Sequence, residues 1–354
     1  MRRPFVAALL LATIVAAPRA QPSALVIPRP VSLAQGTGTF TVRPTTTVWA
    51  DRADSAIARR FARSLSPAMG FELPVRVGPG DARSRIVFRR DTTLRGTLGD
   101  EGYRLDVRSD RVTITAAAPP GAFYATQTIR QLLPPEVFRE APMSGLAWTM
   151  PAVRIEDYPR FRWRGAHLDV SRHFMPKEFV KKYIDLLALH KMNSFHWHLT
   201  DDQGWRLEIK KYPRLTEVGA WRHETLVGRA NSRDTTHYVF DKKPHGGFYT
   251  QDDVREIVAY ARERFINVVP EIEMPGHSQA TIAAYPTLGN FGDTLPVWTA
   301  WGVSHNILNP SDTTVAFMQD VLTEVMALFP GPFVHVGGDE AEKEIGRASC
   351  RERV

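Results

Sequence analysis

The first part of the chain alternates apolar with polar residues at a period of two. β-Branched or aromatic residues recur at every second position, with turn residues between the runs, in TFTVRP, TTVWAD, SRIVFRRD, YRLDVRSD and RVTITAAA. This alternation is typical of short, half-buried strands. Helical patterns over residues 53–69 and 122–133 interrupt the strands. Residues 21–150 are therefore predicted to form a small α+β domain.

From residue 161 the pattern changes to apolar strands that alternate with longer helices. The predicted strands are GAHLDVS, NSFHWHLT, INVVPEIE and FVHVGGDE. The predicted helices cover residues 176–190, 251–264 and 311–328. Such alternation indicates parallel strands, either in a βα barrel or in a doubly wound sheet. No glycine-rich phosphate motif follows the first strand, which disfavours a dinucleotide-binding fold.

Polar residues follow every one of these strands, as they do at the carboxyl ends of barrel strands, where barrel enzymes carry their chemistry. They are Asp169, Arg172, His196, His198, Asp201, Asp202, Glu271, Glu273, His277, Asp339 and Glu340. Residues 151–343 hold only four βα units, whereas a closed barrel needs eight. We therefore predict an α/β chain: the N-terminal half of a (β/α)8 TIM barrel, preceded by the small α+β domain.

The adjacent acids Asp339 and Glu340 are the strongest catalytic candidates. Neighbouring residues of a strand point to opposite faces, so the two acids can share a site only if the backbone turns there. Gly337 and Gly338 permit such a turn. The alternative is that both acids are solvated loop residues.

Other polar residues allow more than one interpretation. His196 and His198 face the same side of a strand and could bind a metal, as in metal-dependent barrel hydrolases, although packing and hydrogen bonding inside the barrel is the favoured alternative. His277 could bridge two carboxylates or be a surface histidine. Arg172 could bind hydroxyls or a carboxylate, or form a structural salt bridge. Asp201 could instead be a capping or turn residue.

The N-terminal residues and the cysteine content predict an exported protein without disulfide bonds. Residues 1–20 carry two arginines, an apolar run too short for a bilayer and then small residues, so they are predicted to be a cleavable signal peptide. The protein is expected to be periplasmic or secreted, with no membrane span. Its one cysteine is Cys350. The formal charge of +7 forms no basic stripe interleaved with aromatics, so no nucleic-acid partner is expected.

Four motifs in order resemble glycoside hydrolase family 20, the β-N-acetylhexosaminidases. They are RGAHLDVSRHFMP, KMNSFHWHLTDDQGWRLEIKKYPRLTEVGA, PEIEMPGHSQA and HVGGDE. The resemblance implies that Glu340 is the general acid and that Asp339 holds the 2-acetamido group of the substrate. It further implies that Arg172 binds sugar hydroxyls and that Asp201 and His277 support the acid. It implies no cofactor and no metal.

The activity implied by the resemblance is exo-acting removal of a terminal β-linked N-acetylhexosamine, GlcNAc or GalNAc, from an oligosaccharide or glycoconjugate. The substrate's own acetamido group would be the nucleophile, and the anomeric configuration would be retained. The main alternative is a non-catalytic truncated fragment or a weak sugar binder. A third alternative is a metal-dependent barrel hydrolase that uses His196 and His198.

The final segment, residues 344–354, differs from the rest of the chain. Its letters, EIGRASCRERV, are also the translation of a common short-read sequencing adapter. We therefore expect the natural sequence to run to about Lys343, with residues 344–354 as an artefact. The aromatic walls of the sugar pocket, which the resemblance places on later strands, would then be missing, and the chain itself is expected to be inactive.

Overall fold

The computed structural model describes residues 24–341, apart from residues 79, 81–84 and 230–234. The predicted signal peptide over residues 1–20 and the segment 344–354 lie outside the described residues. The chain divides into two compact units. Unit 1 comprises Met1–Arg90, Arg104–Thr115 and Ile129–Asp157, and unit 2 comprises Asp91–Tyr103, Ala116–Thr128 and Tyr158–Val354.

Up to residue 157 the strands form one seven-stranded sheet in the order β1-β7-β5-β6-β4-β2-β3. The strands are β1 (Ser32–Thr41), β2 (Val48–Ala50), β3 (Val75–Val77), β4 (Ile86–Arg90), β5 (Tyr103–Val107), β6 (Val112–Ala116) and β7 (Thr149–Asp157). The helices are α1 (Ser55–Met69), α2 (Arg95–Leu98) and α3 (Pro119–Leu132), with 3-10 turns at Thr92–Leu94 and Pro135–Phe138. The two predicted helices are thus α1 and α3.

Burial in this sheet follows the period-two pattern of its sequence. In β5, Leu105 and Val107 are buried while Arg104 is exposed, and in β6 Ile114 is buried between two partly exposed threonines. Strand β7 pairs antiparallel with β1 along its length, so the sheet continues past residue 150, where the sequence pattern predicted the domain boundary. Unit 1 therefore has one apolar face and one polar face of a single sheet.

Unit 2 alternates strands with helices around a three-stranded parallel sheet. Its strands are β8 (Gly165–Asp169), β9 (Ser194–His198), β10 (Thr200–Asp201), β11 (Gly204–Trp205), β12 (Trp221–Arg222), β13 (His245–Gly246) and β14 (Asn267–Glu271). Its further helices are α4 (Lys177–Leu189), α5 (Arg214–Glu217), α6 (Gln251–Arg262), α7 (Gln279–Ala284) and α8 (Asp312–Leu328), with a 3-10 turn at Pro286–Leu288. No helix among the described residues has both the length and the apolar character needed to cross a membrane.

The parallel sheet has the order β8-β9-β14, and its register aligns the strand ends. Asp169 pairs with His198, and His198 pairs with Glu271. Three of the four predicted strands are present. The prediction of a fourth strand, FVHVGGDE, is wrong. This segment contributes only a single parallel bridge, between His335 and Glu271.

The backbone around His335 explains why pairing stops after one bridge. Pro330 and Pro332 precede the bridge and have no N–H to donate. Gly337 and Gly338 follow it with φ of 63° and 93°, outside the β region. Pairing is therefore limited to His335 N–H donating to the Pro270 carbonyl and Ile272 N–H donating to the His335 carbonyl.

Helix α6 begins with a capping box, which generates a stability prediction. The Thr250 hydroxyl accepts from Asp253 N–H at 3.1 Å, and the Asp253 carboxylate accepts from Thr250 N–H at 3.1 Å. We expect Thr250→Ala to destabilise α6 by about 1 kcal/mol, since two backbone donors lose their partner arrangement, while Thr250→Ser retains the cap. Hydrogen exchange of the α6 amides checks this, and equal protection in all three proteins would contradict it.

Candidate active site

The candidate site lies where β8, β9 and β14 end. Because these strands are parallel and in register, their carboxyl ends share one edge of the sheet, and the chain leaves each strand there. Arg172 follows β8, Asp201 follows β9 within the short pair β10–β11, and His277 follows β14. The topology therefore brings together three of the residues that the sequence singled out.

Asp201 is the centre of this cluster. Its buried carboxylate lies 2.8 Å from Arg172 Nη2 and accepts a hydrogen bond from His198 Nε2, also at 2.8 Å. A third cationic group, His277 Nδ1, is 3.3 Å from Asp201 Oδ1. Arg172 is held on its other side by Asp169 Oδ2 at 3.1 Å. Three basic side chains from three different segments are thus oriented by one carboxylate.

His277 connects Asp201 to the pair of adjacent acids. Its Nδ1 faces Asp201 and also Asp202, whose Oδ2 is 3.5 Å away. Its Nε2 lies 3.3 Å from Glu340 Oε2 and 3.7 Å from Asp339 Oδ2. The residue has φ of 50°, so the imidazole is presented from a left-handed backbone position. Asp201, His277 and Glu340 therefore form a continuous polar line from the protein interior to the surface.

The turn that carries Asp339 and Glu340 has the geometry that the sequence required. Gly337 and Gly338 both have positive φ, and a Cβ on Gly337 would lie 1.6 Å from Glu273 Oε2. Glycine suits position 337, because the positive φ favours it and any side chain there would displace the Glu273 carboxylate. Glu340 itself has φ of 48°. Both acids reach the same imidazole nitrogen, so they lie at one site rather than on opposite faces of a strand.

A second buried carboxylate, Glu271, is surrounded by histidines. Its Oε2 accepts from His198 Nδ1 at 2.6 Å and lies 2.7 Å from His196 Nε2, while its Oε1 lies 2.8 Å from His335 Nδ1. His167 Nε2 is 3.8 Å away. His198 makes hydrogen bonds through both ring nitrogens, whereas His196 Nε2 contacts Glu271 at ion-pair distance without the geometry of a hydrogen bond.

The possible metal ligands overlap with these polar clusters. The ligand atoms of His167, His196 and Glu271 lie within 4.8 Å of one another, and the same is true of His277, Asp339 and Glu340. In both groups the nitrogens already point at a carboxylate of the same group. Each group therefore already has ion-pair contacts among its own side chains.

The close pairing shifts the pKa values of the buried groups. Burial alone would lower the pKa of His198, yet its hydrogen bonds to Asp201 and Glu271 raise it to about 10. Contacts with Asp201 and Asp202 raise the pKa of His277 to about 11. Burial opposes ionisation of Asp201, but His198, His277 and Arg172 lower its pKa to about 2. At neutral pH the cluster is an array of paired charges.

The pKa of Glu273 shifts upwards, in the opposite direction to that of Asp201. Burial, followed by its contact with the negatively charged Glu271, raises the pKa of Glu273 to about 8. Burial would raise the pKa of Glu271 as well, but the hydrogen bonds from His167, His196 and His198 hold it far below the usual range. One proton is therefore retained on Glu273 while Glu271 stays ionised.

Several residues that position the site were missed by sequence reasoning. Arg206 is fully buried and donates to backbone carbonyls only, which lie on four segments: those of Val170, Ser171, Gln203, Ala220 and Gly247. Burial lowers the pKa of Arg206 to about 9. The motif DDQGWR contains it, but a charged residue after a tryptophan carries no periodic signal of burial.

Asp202 was noted in the sequence without an assigned role, and it anchors two segments. Its Oδ1 accepts from Gln279 N–H at 3.0 Å, at the start of α7, and its Oδ2 accepts from Ser304 N–H at 3.2 Å. Its backbone carbonyl accepts from Trp298 N–H. Asp202 therefore holds the loop that precedes α8 against the strand ends.

That loop brings Trp301 to the site. A cavity of about 400 Å³ is lined by Asp169, Arg172, Gln203, His277, Trp301, Gly302, Val303 and Glu340. Trp301 is 37% exposed there. The size suits a small polar ligand, and a tryptophan beside charged groups suits the apolar face of a sugar ring. Trp301 lies in a segment without strand or helix periodicity, so no sequence pattern pointed to it.

Comparison with known proteins finds the same family for both parts of the chain. The model of "Glycosyl hydrolase family 20, catalytic domain" matches residues 161–352, and that of "Glycosyl hydrolase family 20, domain 2" matches residues 24–158. A beta-hexosaminidase of Porphyromonas gingivalis is 43% identical over 335 residues, which make up 93% of this chain and 40% of the relative.

Solved structures of family 20 hexosaminidases also resemble this chain. The GH20 beta-N-acetylhexosaminidase from Streptomyces coelicolor superposes with a TM-score of 0.78 at 40% identity, covering 93% of this chain and 63% of that chain. A mutant Streptomyces plicatus beta-hexosaminidase in complex with its product, GlcNAc, gives 0.80 at 39% identity and covers 95% and 64%. The chain thus spans about two fifths of the Porphyromonas relative and less than two thirds of either solved chain.

The paired charges predict a pH dependence of stability. The pKa of His277 rises from 6.5 to about 11 on folding, so its contribution is complete below pH 6.5 and is lost as the pH rises towards 11. The pKa of Asp201 falls from 3.8 to about 2, so its contribution is complete above pH 3.8 and is lost as the pH falls towards 2. We expect this cluster to stabilise the fold most between about pH 4 and 6.5.

Urea unfolding across this pH range, followed for Asp201→Asn, checks the origin of the dependence. Asparagine removes the charge that His198 and His277 face, so the alkaline loss should become shallower along with the acid loss. Asp252→Asn is the matched control, because Asp252 is an exposed carboxylate on α6. A pH profile of Asp201→Asn parallel to that of the control would show that the cluster is not the cause.

Proposed function

Because the chain belongs to glycosyl hydrolase family 20, we propose that the protein is an exo-acting β-N-acetylhexosaminidase that retains the anomeric configuration with help from its substrate. The single observation that carries the proposal is the position of Asp339 and Glu340, side by side on His277 Nε2. Glycosidases that use two carboxylates hold them on opposite sides of the scissile bond, about 5 to 9.5 Å apart. Two adjacent acids can instead contact two different groups of the same sugar.

In the first step Glu340 would act as the general acid. Its proton goes to the glycosidic oxygen, the bond from that oxygen to the anomeric carbon breaks, and the aglycone leaves as an alcohol. The oxygen of the substrate's 2-acetamido group forms the new bond to the anomeric carbon, which gives a cyclic oxazolinium intermediate. The carboxylate of Asp339 would hold the acetamido nitrogen and offset the positive charge that develops there.

In the second step Glu340 would act as the base. It takes a proton from water, the water oxygen bonds to the anomeric carbon, and the ring of the intermediate opens to restore the acetamido group. His277 would keep the Glu340 carboxylate in place through both steps. The Asp201 and Asp202 carboxylates on the other side of the imidazole offset its charge, so Glu340 faces a paired cation.

The remaining lining residues support a terminal sugar as the ligand. Arg172 is fixed by Asp169 and Asp201 at the cavity, so its guanidinium is oriented before a ligand binds. A guanidinium held in this way binds paired hydroxyls, which suits carbons three and four of an unsubstituted, non-reducing sugar. The S. plicatus relative in complex with GlcNAc supports an N-acetylhexosamine as that sugar.

One alternative remains supported by a specific observation. Trp163 and Phe333, which lie next to the parallel sheet of unit 2, are exposed side chains beside a cavity of about 500 Å³. Exposed aromatic side chains beside a cavity are the kind of surface that a weak sugar binder without catalytic activity would use. Release of nitrophenol from its N-acetylglucosaminide separates the two, because a binder shows no turnover.

We also propose that the protein is exported to the periplasm or secreted. The support is the sequence of residues 1–20, with its two arginines, apolar run and small residues. The absence of cysteine before Cys350 leaves packing as the source of stability in an oxidising compartment. Chitin oligomers are one natural substrate class that fits, since a N,N'-diacetylchitobiase of Vibrio harveyi is 35% identical over 279 residues.

Glu340→Gln tests the assignment of the acid. We expect turnover of substrates with poor leaving groups to fall by about 10²–10⁴-fold, since the leaving oxygen receives no proton. Activated phenol leaving groups need little protonation and should lose less. Glu178→Gln is the matched control, because Glu178 is exposed on α4. Equal losses for both leaving groups would argue against Glu340 as the acid.

Asp339→Asn tests the role of the substrate's acetamido group. We expect it to abolish most turnover with little change in fold, because the charge beside the acetamido nitrogen is lost, whereas the exposed Asp252→Asn should be active. A thiazoline analogue of the cyclic intermediate should inhibit tightly, as analogues of high-energy states do. Mass spectrometry that finds a sugar bonded to a protein carboxylate would overturn this mechanism.

A further inference from the structure

The polar face of the seven-stranded sheet in unit 1 forms a groove of about 920 Å³. It is more than twice the volume of the cavity at the candidate active site. The strand alternation that buries Leu105 and Ile114 on one face of the sheet puts Arg104, Thr113 and Thr115 on the other. The groove is therefore a direct product of the period-two sequence pattern.

Arginine dominates this groove. Five arginines line it, from three strands and the β5–β6 turn: Arg89, Arg104, Arg108, Arg111 and Arg154. Three carboxylates line it as well, those of Asp106, Asp110 and Glu156. Positive charge is therefore in excess within the groove, and it is supplied only by guanidinium groups.

Two of the five arginines are matched by acids of the groove. Arg104 Nε donates to Glu156 Oε2 at 2.7 Å, and Arg108 Nε donates to Asp106 Oδ2 at 2.9 Å. Arg89 and Arg154 differ from them. Both are exposed, and neither guanidinium has an ion pair or hydrogen bond with any residue that the structure describes. The planar, permanently charged guanidinium groups of Arg89 and Arg154 are thus available to a ligand.

The chemistry of the lining selects the ligand class. A guanidinium fork matches the two oxygens of a carboxylate or sulfate, and threonine hydroxyls such as those of Thr113 and Thr115 can bond to sugar hydroxyls. No aromatic side chain lines the groove, so stacking on a neutral sugar ring or on a nucleic-acid base is not available. Arginines spread over several strands suit a chain with repeated charges better than one small anion.

We propose that this arginine groove binds an acidic polysaccharide through carboxylate or sulfate groups that repeat along the sugar chain. The groove would hold glycan that carries uronate or sulfate residues. The proposal does not rest on the proposed hydrolase activity, because binding to unit 1 needs no turnover.

Titration calorimetry of the protein with heparin and with polygalacturonate tests the proposal. Heparin carries sulfate and carboxylate groups, polygalacturonate carries carboxylates only, and dextran is the uncharged control. We expect both acidic polymers to bind, dextran not to bind, and affinity to fall when salt is raised from about 0.05 to about 0.5 M. Binding of heparin alone would assign the groove to sulfate, and binding of polygalacturonate would assign it to carboxylate.

The double variant Arg89→Ala/Arg154→Ala locates the binding. We expect it to weaken affinity at least about fivefold, the combined effect of two exposed charge pairs. Arg59→Ala/Arg63→Ala is the matched control, since these two arginines are exposed on α1 and outside the groove, and it should change affinity less than about twofold. Circular dichroism verifies that both variants are folded.

Three outcomes would overturn the proposal. The first is no binding of either acidic polymer at low salt. The second is an equal loss of affinity in the groove variant and the α1 variant, which would show attraction by net charge alone. The third is binding of single-stranded poly-dT that is as tight as that of the polysaccharides and equally sensitive to Arg89→Ala/Arg154→Ala, which would make the groove a general polyanion site.

Discussion

The buried carboxylate of Asp201 organises unit 2, because three cationic side chains from separate segments depend on it. Arg172, His198 and His277 each lie within 3.3 Å of its oxygens. A buried charge is costly unless it is paired, so the position of each partner is strongly constrained. Removing the carboxylate would leave three charges without their common acceptor. Arg172 is the candidate residue for binding sugar hydroxyls. Its orientation, and that of the His277 imidazole beside Glu340, both follow from contact with the Asp201 carboxylate.

Two further buried charged residues of unit 2, Glu271 and Arg206, have their own sets of partners. Glu271 collects the histidines that project from β8, β9 and the segment after α8, so its negative charge is balanced inside the sheet. Arg206 has only carbonyl partners and uses them to hold the backbone of the loops that follow β8 and β11. Much of the pairing in this unit joins parts of the chain that are far apart in sequence.

The reactive end of the site is more exposed than its support. The side chains of Asp339 and Glu340 are 65% and 59% exposed, whereas His277 is 3% exposed. A buried interior therefore supports two exposed acids, of which Glu340 lines the cavity, and the glycine turn precedes them. Asp202 anchors the loop that carries Trp301, so Trp301 and the His277 imidazole are tied to neighbouring residues, Asp202 and Asp201.

The sequence by itself determined the longer helices, three of the parallel strands, the two regions of different pattern and the acids at the strand ends. These features depend on local periodicity and on the rule that parallel strands share an edge, and Arg172, Asp201, His277, Asp339 and Glu340 were found in this way. Only the tertiary structure decided that the predicted fourth strand is a single bridge, that four histidines converge on Glu271, and that Trp301 lines the cavity. Those outcomes depend on register and on contacts between residues far apart in the chain, which no local pattern encodes.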